Sequence, residues 1–417
     1  MNTIVVNPYY TLIAATLVLL IGRLLVSKIK LLQNFNIPEP VAGGLLMAFI
    51  IYVIYVSTDI SFDFDKGLQD TFMLVFFSSI GLSADFSRLK SGGIGLFIFL
   101  GIVALFIVVQ NTVGVGLASA FGLKPIIGLV TGSITLTGGH GTAGAWGKTL
   151  EQDYHIQGAT ALGMAAATFG LVLGGLIGGP VSRRLVNKMG RKPSSEAAQD
   201  NNNNNNNNND TEVGVFEQPE KQRLITSKSA IETMALFAAC LSFSALMDSE
   251  TVRSFFPDNF TLPQFVWALF FGVFLRNILT YVFKINMFDR AIDVFGNASL
   301  SLFLGIALLN LKLWQLLDLA LPMLVILAVQ TFVMSTYAYF VTYRFMGKDY
   351  DAAVLAGGHC GFGLGATPTA VANMQSITDK FGPSHKAFLI VPMVGAFFVD
   401  FVNAFILIGF VKILGTN

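Results

Sequence analysis

The sequence predicts an all-α polytopic membrane protein made of two inverted repeats of five transmembrane helices, each repeat carrying a re-entrant hairpin. Three observations predict it. Of 417 residues, 53% are hydrophobic and 12% charged, with mean hydropathy +0.65, too few charges to solvate a globular surface of that size. The apolar residues gather in ten long runs separated by charged stretches, and landmarks of the first half recur in the same order in the second.

Crossing a hydrocarbon core about 30 Å thick takes about 20 helical residues at about 1.5 Å each. In the first half the runs are Tyr9–Val26, Val41–Val56, Thr71–Ala84, Ile94–Phe121 and Gly158–Val181. The N-terminus up to Tyr10 lacks the basic stretch of a cleaved signal peptide, so Tyr9–Val26 is expected to remain as a span. Thr71–Ala84 is the shortest, bracketed by Asp70 and Asp85. Asp85 therefore marks a water-facing end or sits in a protein-lined cavity. The second half offers Ser229–Met247, Phe265–Phe283, Val294–Leu311, Leu319–Tyr343 and Ala387–Val411. Two more segments, Ile126–Trp146 and Ala353–Met374, are apolar but dense in Gly, Ser and Thr, with Pro125 or Pro368 as breakers. Irregular backbone at membrane depth is tolerated only where protein surrounds it or a cavity hydrates it, so both read as re-entrant hairpins.

The chain thus divides into a first repeat, 1–181, a linker, 182–228, and a second repeat, 229–417. The linker holds Arg183, Arg184, Lys188, Arg191 and Lys192, then the asparagine run Asn201–Asn209 and an acidic patch around Glu217 and Glu220. It reads as a disordered spacer without a core. With the N-terminus outside, 20 of the 26 Lys and Arg fall on the cytoplasmic side. Both termini are therefore expected outside and the linker inside. Nucleic acid is not expected as a partner. Cys240 and Cys360 lie in apolar or Gly-rich stretches and support neither a disulfide framework nor a thiolate metal site.

Ile37-Pro38 matches Leu262-Pro263, Val109-Gln110 matches Val329-Gln330, and Gly138-Gly139-His140 matches Gly357-Gly358-His359, at offsets of 225, 220 and 219. With only four histidines in the chain, a chance recurrence of Gly-Gly-His is rare. Each half makes five crossings, an odd number, so the second half enters from the opposite face and the two hairpin tips are expected to meet near the midplane.

The chemistry concentrates at those tips. Residues 131–146 read TGSITLTGGHGTAGAW and residues 357–369 read GGHCGFGLGATPT. Glycines let the backbone turn and approach a ligand closely. Helix N-termini offer N–H groups to a carboxylate, while unwound carbonyls coordinate Na+. Candidate ligands in the first hairpin are Ser133, Thr135, Thr137, Gly138, Gly139, His140, Gly141 and Thr142. In the second they are Gly357, Gly358, His359, Cys360, Gly361 and Gly363, followed by Thr367, Thr369 and Asn373. Their neutral oxygens and donors suit a hard cation or a dipolar organic anion. The Gly174-Gly175…Gly178-Gly179 run reads instead as helix packing.

His140 and His359 are open between binding a solute, carrying protons and holding their own loops; no Cys/His cluster completes a transition-metal shell. Asp400, with Asn403 at i+3 on the same face, is the strongest intramembrane ionisable candidate, for Na+ or an ammonium. Glu232 reads as an interfacial anchor. Arg276 either snorkels or faces a buried acid, and Gln110 and Asn111 either bond between helices or line the site.

IPEPVAGGLL at 37–46, GSITLTGGHGTAGAW at 132–146, ATFGLVLGGLIGGP at 167–180, SLSLFL at 299–304, AGGHCGFGLGATPTAVANMQ at 356–375 and GPSHKAFLIVPMVGAFFVD at 382–400 closely resemble bacterial sodium/glutamate symporters. The resemblance runs essentially end to end, apart from the linker. It implies uptake of L-glutamate with Na+ across the bacterial inner membrane, a homodimer, and an elevator mechanism like that of similar two-hairpin carriers, in which a transport domain slides past a dimerising scaffold. The family's Gly-Gly-His tips fall on Gly138–Thr142 and Gly357–Gly361, which would hold substrate and Na+. A carrier of another dicarboxylate or amino acid is the nearest rival. A channel would present rings from several subunits, and no nucleophile elbow or HExxH motif supports an enzyme.

Overall fold

The computed structural model describes residues 2–34, 37–85, 93–190, 225–253, 262–285, 287–312 and 320–414. The asparagine run and most of the linker, with Arg88 and Lys90, lie outside the described residues. The described chain is helical except for one two-stranded parallel sheet, β1 (Asn2–Val6) against β2 (Ile60–Phe64), in register Asn2↔Ile60.

The helices of the first half are α1 (Pro8–Lys28), α2 (Lys30–Asn34), α3 (Glu39–Thr58), α4 (Lys66–Ser83) and α5 (Gly93–Ala120). A hairpin follows, formed by α6 (Ile127–Leu129, continued by a π turn over Val130–Ile134) and α7 (Gly139–Gln152), and then α8 (Ala159–Lys188). The second half has α9 (Ser227–Asp248), α10 (Glu250–Arg253), α11 (Gln264–Tyr281), α12 (Asp289–Leu309) and α13 (Ala320–Phe345). Its hairpin is α14 (Tyr350–Leu364) and α15 (Thr367–Phe381), and α16 (His385–Met393) joins α17 (Val399–Leu414) through a π turn. Long helices, then a helix–break–helix hairpin, then a last long helix recur in the same order in both halves.

Among the described residues, eight helices are long and apolar enough to cross a membrane: α1, α3, α5, α8, α9, α11, α12 and α13. Their outward faces carry large apolar side chains, such as Leu24, Phe49, Phe274 and Phe332, as lipid contact requires. Two expected spans fall outside this set for local reasons. Lys66 and Asp70 charge the first turns of α4, and the last span bends where Pro392 and the π turn over Val394–Phe398 divide it. Helix α8 runs seven residues past the expected linker boundary, and its Ser182 is buried against Gly357.

Packing sorts the helices into two groups. Helices α1, α3, α4, α9, α11 and α12 pack on one another; α5, both hairpins, α8, α13, α16 and α17 form the second group. The groups meet where α7 packs on α12, where Trp146 sets its ring edge-on to Phe265 at 5.9 Å, and where Phe270 of α11 stacks on Phe405 of α17 at 4.8 Å.

Small residues set the closest approaches. A Cβ on Gly170 would lie 2.2 Å from the Leu364 carbonyl oxygen, and one on Gly178 would lie 2.8 Å from that of Gly357. Gly170, Gly174 and Gly178 thus form a stripe on α8 that receives α14, the small-xxx-small packing expected of the glycine run.

Charge is buried at one end of the first group. Arg276 (6% exposed) pairs with Asp289 and, at 3.3 Å, with Asp85, whose other oxygen accepts from Tyr281 at 2.9 Å. Arg276 therefore faces buried acids rather than snorkelling, and Asp85 sits in a protein-lined site. Glu232 is exposed.

Candidate functional site

The site is built from the two hairpin breaks. In the first, Gly132 leaves helical geometry (φ −107°, ψ −135°), and α7 restarts at Gly139, whose φ of +66° strains any L side chain. In the second, α14 stops at Leu364 and α15 starts at Thr367, with Pro368 in its first turn, where a missing N–H costs nothing. The breaks touch: a Cβ on Gly139 would stand 3.4 Å from the Gly365 carbonyl oxygen.

One side chain ties them together. Gln110 of α5, fully buried, donates from Nε2 to the Gly363 carbonyl at 3.0 Å and accepts from Thr137 Oγ1 at 2.7 Å. Its own carbonyl accepts from Gln330, its repeat-related counterpart, at 2.7 Å. Next to it, Asn111 Oδ1 accepts from the Ser133 amide at 2.9 Å, and Asn403 Nδ2 donates to the Ser133 carbonyl at 3.1 Å. Two asparagines from separate helices thus satisfy the backbone that Gly132 releases.

Between the breaks and the first helix group lies a cavity of about 530 Å³. One wall is Thr137–Gly141 with Gly365–Thr369, Gly395 and Asp400. The facing wall is Pro38, Phe76, Ser79, Ser83, Asp293, Asn297 and Ser301. Asp293 and Asp400 are its acids; among the described residues no Lys or Arg lines it. The N-cap residues of α7 and α15, Gly138 and Ala366, both lie on the wall, and no side chain caps either helix. Two helix N-termini with their amides and partial positive charge therefore open into a cavity without basic side chains.

The structure brings Thr137, Gly138, Gly139, His140, Gly141, Thr367, Thr369 and Asp400 to this cavity. The remaining candidates lie behind it. Thr142 is buried under Gly138, and Thr135 donates to the Val130 carbonyl at 2.7 Å. Asn373 bridges the Gly174 and Gly357 carbonyls. The second Gly-Gly-His is not a tip: Gly357–Gly361 lies inside α14, before the break that begins at Gly365; Gly357 packs on Ser182 and Gly178 of α8, the Cys360 and Gly361 carbonyls approach Gly174, and Gly361 itself packs on Ala370 of α15. Gly358 packs on Met374 and Val391, and Gly363 on Met334. His359, fully buried, bonds through Nδ1 to Thr342 Oγ1 at 2.8 Å inside a cage of Phe99, Phe106, Tyr337 and Phe362. The two histidines therefore occupy unlike environments.

Three buried side-chain oxygens near the breaks have no hydrogen-bond partner: Ser133 Oγ, Thr369 Oγ1 and Asn403 Oδ1. Neutral oxygen donors of this kind suit a hard alkali cation. Among the described residues, no group of three His, Cys, Asp or Glu side chains could hold a metal. The facing wall was not legible in the sequence, although Pro38 and Ser301 fall within stretches that carry the resemblance. Thr168, which contacts His140, also falls within such a stretch, at 167–180, but was not singled out as a site residue.

A second cleft, about 430 Å³, lies at the opposite end of α4 and α12, lined by Lys66, Asp70, Lys148, Glu151, Asn310 and Lys312. There Lys148 of α7 pairs with Asp70 of α4, joining the two helix groups.

Fold and cavity define a multi-pass helical membrane protein with a candidate solute site at two broken hairpins. A family profile described as sodium/glutamate symporter matches residues 4–383. The chain is 52% identical over 403 residues to the sodium/glutamate symporter of Haemophilus influenzae, covering 96% of each chain. It is 53% identical over 398 residues to that of Escherichia coli K12, covering 95% of each. The chain belongs to the sodium/glutamate symporter family.

Proposed function

We propose that this protein is a secondary carrier that takes L-glutamate into the cell together with Na+. One observation carries the substrate class: a cavity without Lys or Arg receives two uncapped helix N-termini, one from each hairpin, and holds Asp400 on its wall. Two positive helix ends match two carboxylates, and Asp400 matches the ammonium. Na+ takes the partnerless oxygens of Ser133 and Asn403 behind the cavity and of Thr369 on its wall. The printed names of the relatives support the same solute and ion.

The two halves run in opposite senses through the inner membrane, with both termini outside and the linker inside, and the protein acts as a homodimer. The second helix group is the moving body, with the hairpins at its centre; the first is the scaffold. The cavity lies at the end of the scaffold formed by the start of α3, the end of α4 and the start of α12. The excess of basic residues assigns that end to the cytoplasm, so the conformation is inward-facing. Alternating access then carries the hairpins along the scaffold toward the outer side. Substrate and Na+ drive it only by jointly stabilising the moving state.

The test is glutamate uptake into proteoliposomes under an imposed Na+ gradient, replaced in parallel by H+ or K+ gradients. Accumulation that ignores Na+ refutes the coupling. Accumulation of glutarate in preference to glutamate refutes the substrate.

A further inference from the structure

His140 lies on the cavity wall at the first turn of α7. Its Nε2 stands 3.0 Å from Thr168 Oγ1 on α8, and the Thr168 hydroxyl lies 2.8 Å from the Met164 carbonyl, to which it donates. A hydroxyl carries one hydrogen. With that hydrogen on Met164, Thr168 can only accept from the ring, so Nε2 carries the proton. Among the described residues Nδ1 has no hydrogen-bond partner, and it is not among the buried polar atoms left without one, as expected of an atom open to the cavity that His140 lines. The uncapped N-terminus of α7 adds a positive field that disfavours a second proton on the ring.

We propose that Thr168 is a positioning residue that locks His140 in the Nε2-protonated tautomer, making Nδ1 a hydrogen-bond acceptor toward the cavity. This rests on the proposed function and deepens it. A bare ring nitrogen accepts from the α-ammonium of an amino dicarboxylate. A deaminated one has only a methylene at that point and gains nothing from the nitrogen. Thr168 thereby selects amino dicarboxylates over simple diacids without touching either, and Asp400 receives a further ammonium hydrogen. His359 cannot take this part, because its Nδ1 is committed to Thr342 and its Nε2 is sealed in the aromatic cage.

The experiment compares wild type, Thr168→Val and Thr168→Ser in proteoliposomes, measuring KM and Vmax for glutamate and the inhibition constant of glutarate. Valine keeps the shape and removes the acceptor. The expected result is a glutamate KM raised about tenfold, one lost hydrogen bond to a charged donor, with Vmax and the glutarate constant changed less than about twofold and serine restoring wild-type values. If valine prevents folding, Thr168→Ala replaces it with the same expectation. Equal loss of both ligands, or no loss of either, overturns the proposal. Wild type failing to take up glutamate with Na+ refutes the proposed function instead, so the two failures are separable.

Discussion

Gln110→Leu tests whether the two hairpin tips are held as one unit. The substitution is close in volume, so it removes chemistry rather than packing. Two hydrogen bonds disappear, one from Nε2 to Gly363 and one from Thr137 to Oε1. Each neutral bond contributes about 1 kcal/mol net. Part is recovered, because the Thr137 hydroxyl already lies 3.3 Å from the Gly363 carbonyl and can turn to it fully. The net loss is about 1–2 kcal/mol, or about 5- to 30-fold in an equilibrium constant. Thr137 is on the cavity wall, so the loss appears in the glutamate KM of the reconstituted carrier, with Vmax less affected. Gln330→Leu is the control: it removes a bond to the Gln110 backbone but leaves the tie between the tips, and KM should stay within about threefold. A Gln110→Leu protein with KM within twofold of wild type and an unchanged thermal midpoint would refute the reading that one side chain fixes both tips.

Three further outcomes follow from the packing. Gly170→Ala forces a methyl to within 2.2 Å of a backbone oxygen and should cost about 1–3 kcal/mol, seen as a lower melting midpoint in detergent. Gly101→Ala, with nothing within 4 Å, should be neutral. Arg276→Met strands Asp85 in a buried site and should cost about 3–5 kcal/mol; adding Asp85→Asn should return part of that stability, and no recovery would show that the pair is not the source. Asp70→Asn breaks the only ion pair described between α4 and α7. A pair of this kind contributes up to about 1 kcal/mol, so outward return should quicken about two- to fivefold in exchange assays if the pair holds the inward-facing state.

Spans were legible because a bilayer imposes a length and a polarity that a one-dimensional reading captures; eight of the ten expected runs appear as helices that meet both demands. Composition also located the hairpins, since Gly-rich apolar backbone has few places to be. The position of the second tip was misread for a specific reason. Gly-Gly-His recurs at Gly357–His359, but repetition of a motif does not fix the point of a break. Pro368, of a type disfavoured in a helix interior but suited to a first turn, marks a helix start just after Gly365, and this local signal outweighs the repeat. Gly357 and Gly361 instead answer to Gly170, Gly174 and Gly178 on α8, a pairing invisible without the third dimension. The β1–β2 pair was likewise out of reach, because its partners are two five-residue strands separated by three helices.

Electrostatics gives a reason why uptake through such a cavity would be coupled to sodium. Asp293 and Asp400 line it and no basic side chain does. The two helix N-termini supply about half a positive charge each, which leaves the empty cavity negative when both acids are ionised. Glutamate brings a further net negative charge. Loading it alone would concentrate like charge in a poorly hydrated space, where repulsion is screened least. A cation bound nearby removes that cost, and removes it only while bound, so each ligand strengthens the other by the same factor. A proton on either acid could serve the same bookkeeping, but the partnerless buried oxygens beside the breaks include hydroxyl and amide groups of Ser133, Thr369 and Asn403. Such groups coordinate a hard cation and do not take up protons near neutral pH. On the proposed reading, a site built from such groups would discriminate Na+ from H+ by chemistry, before any question of affinity arises.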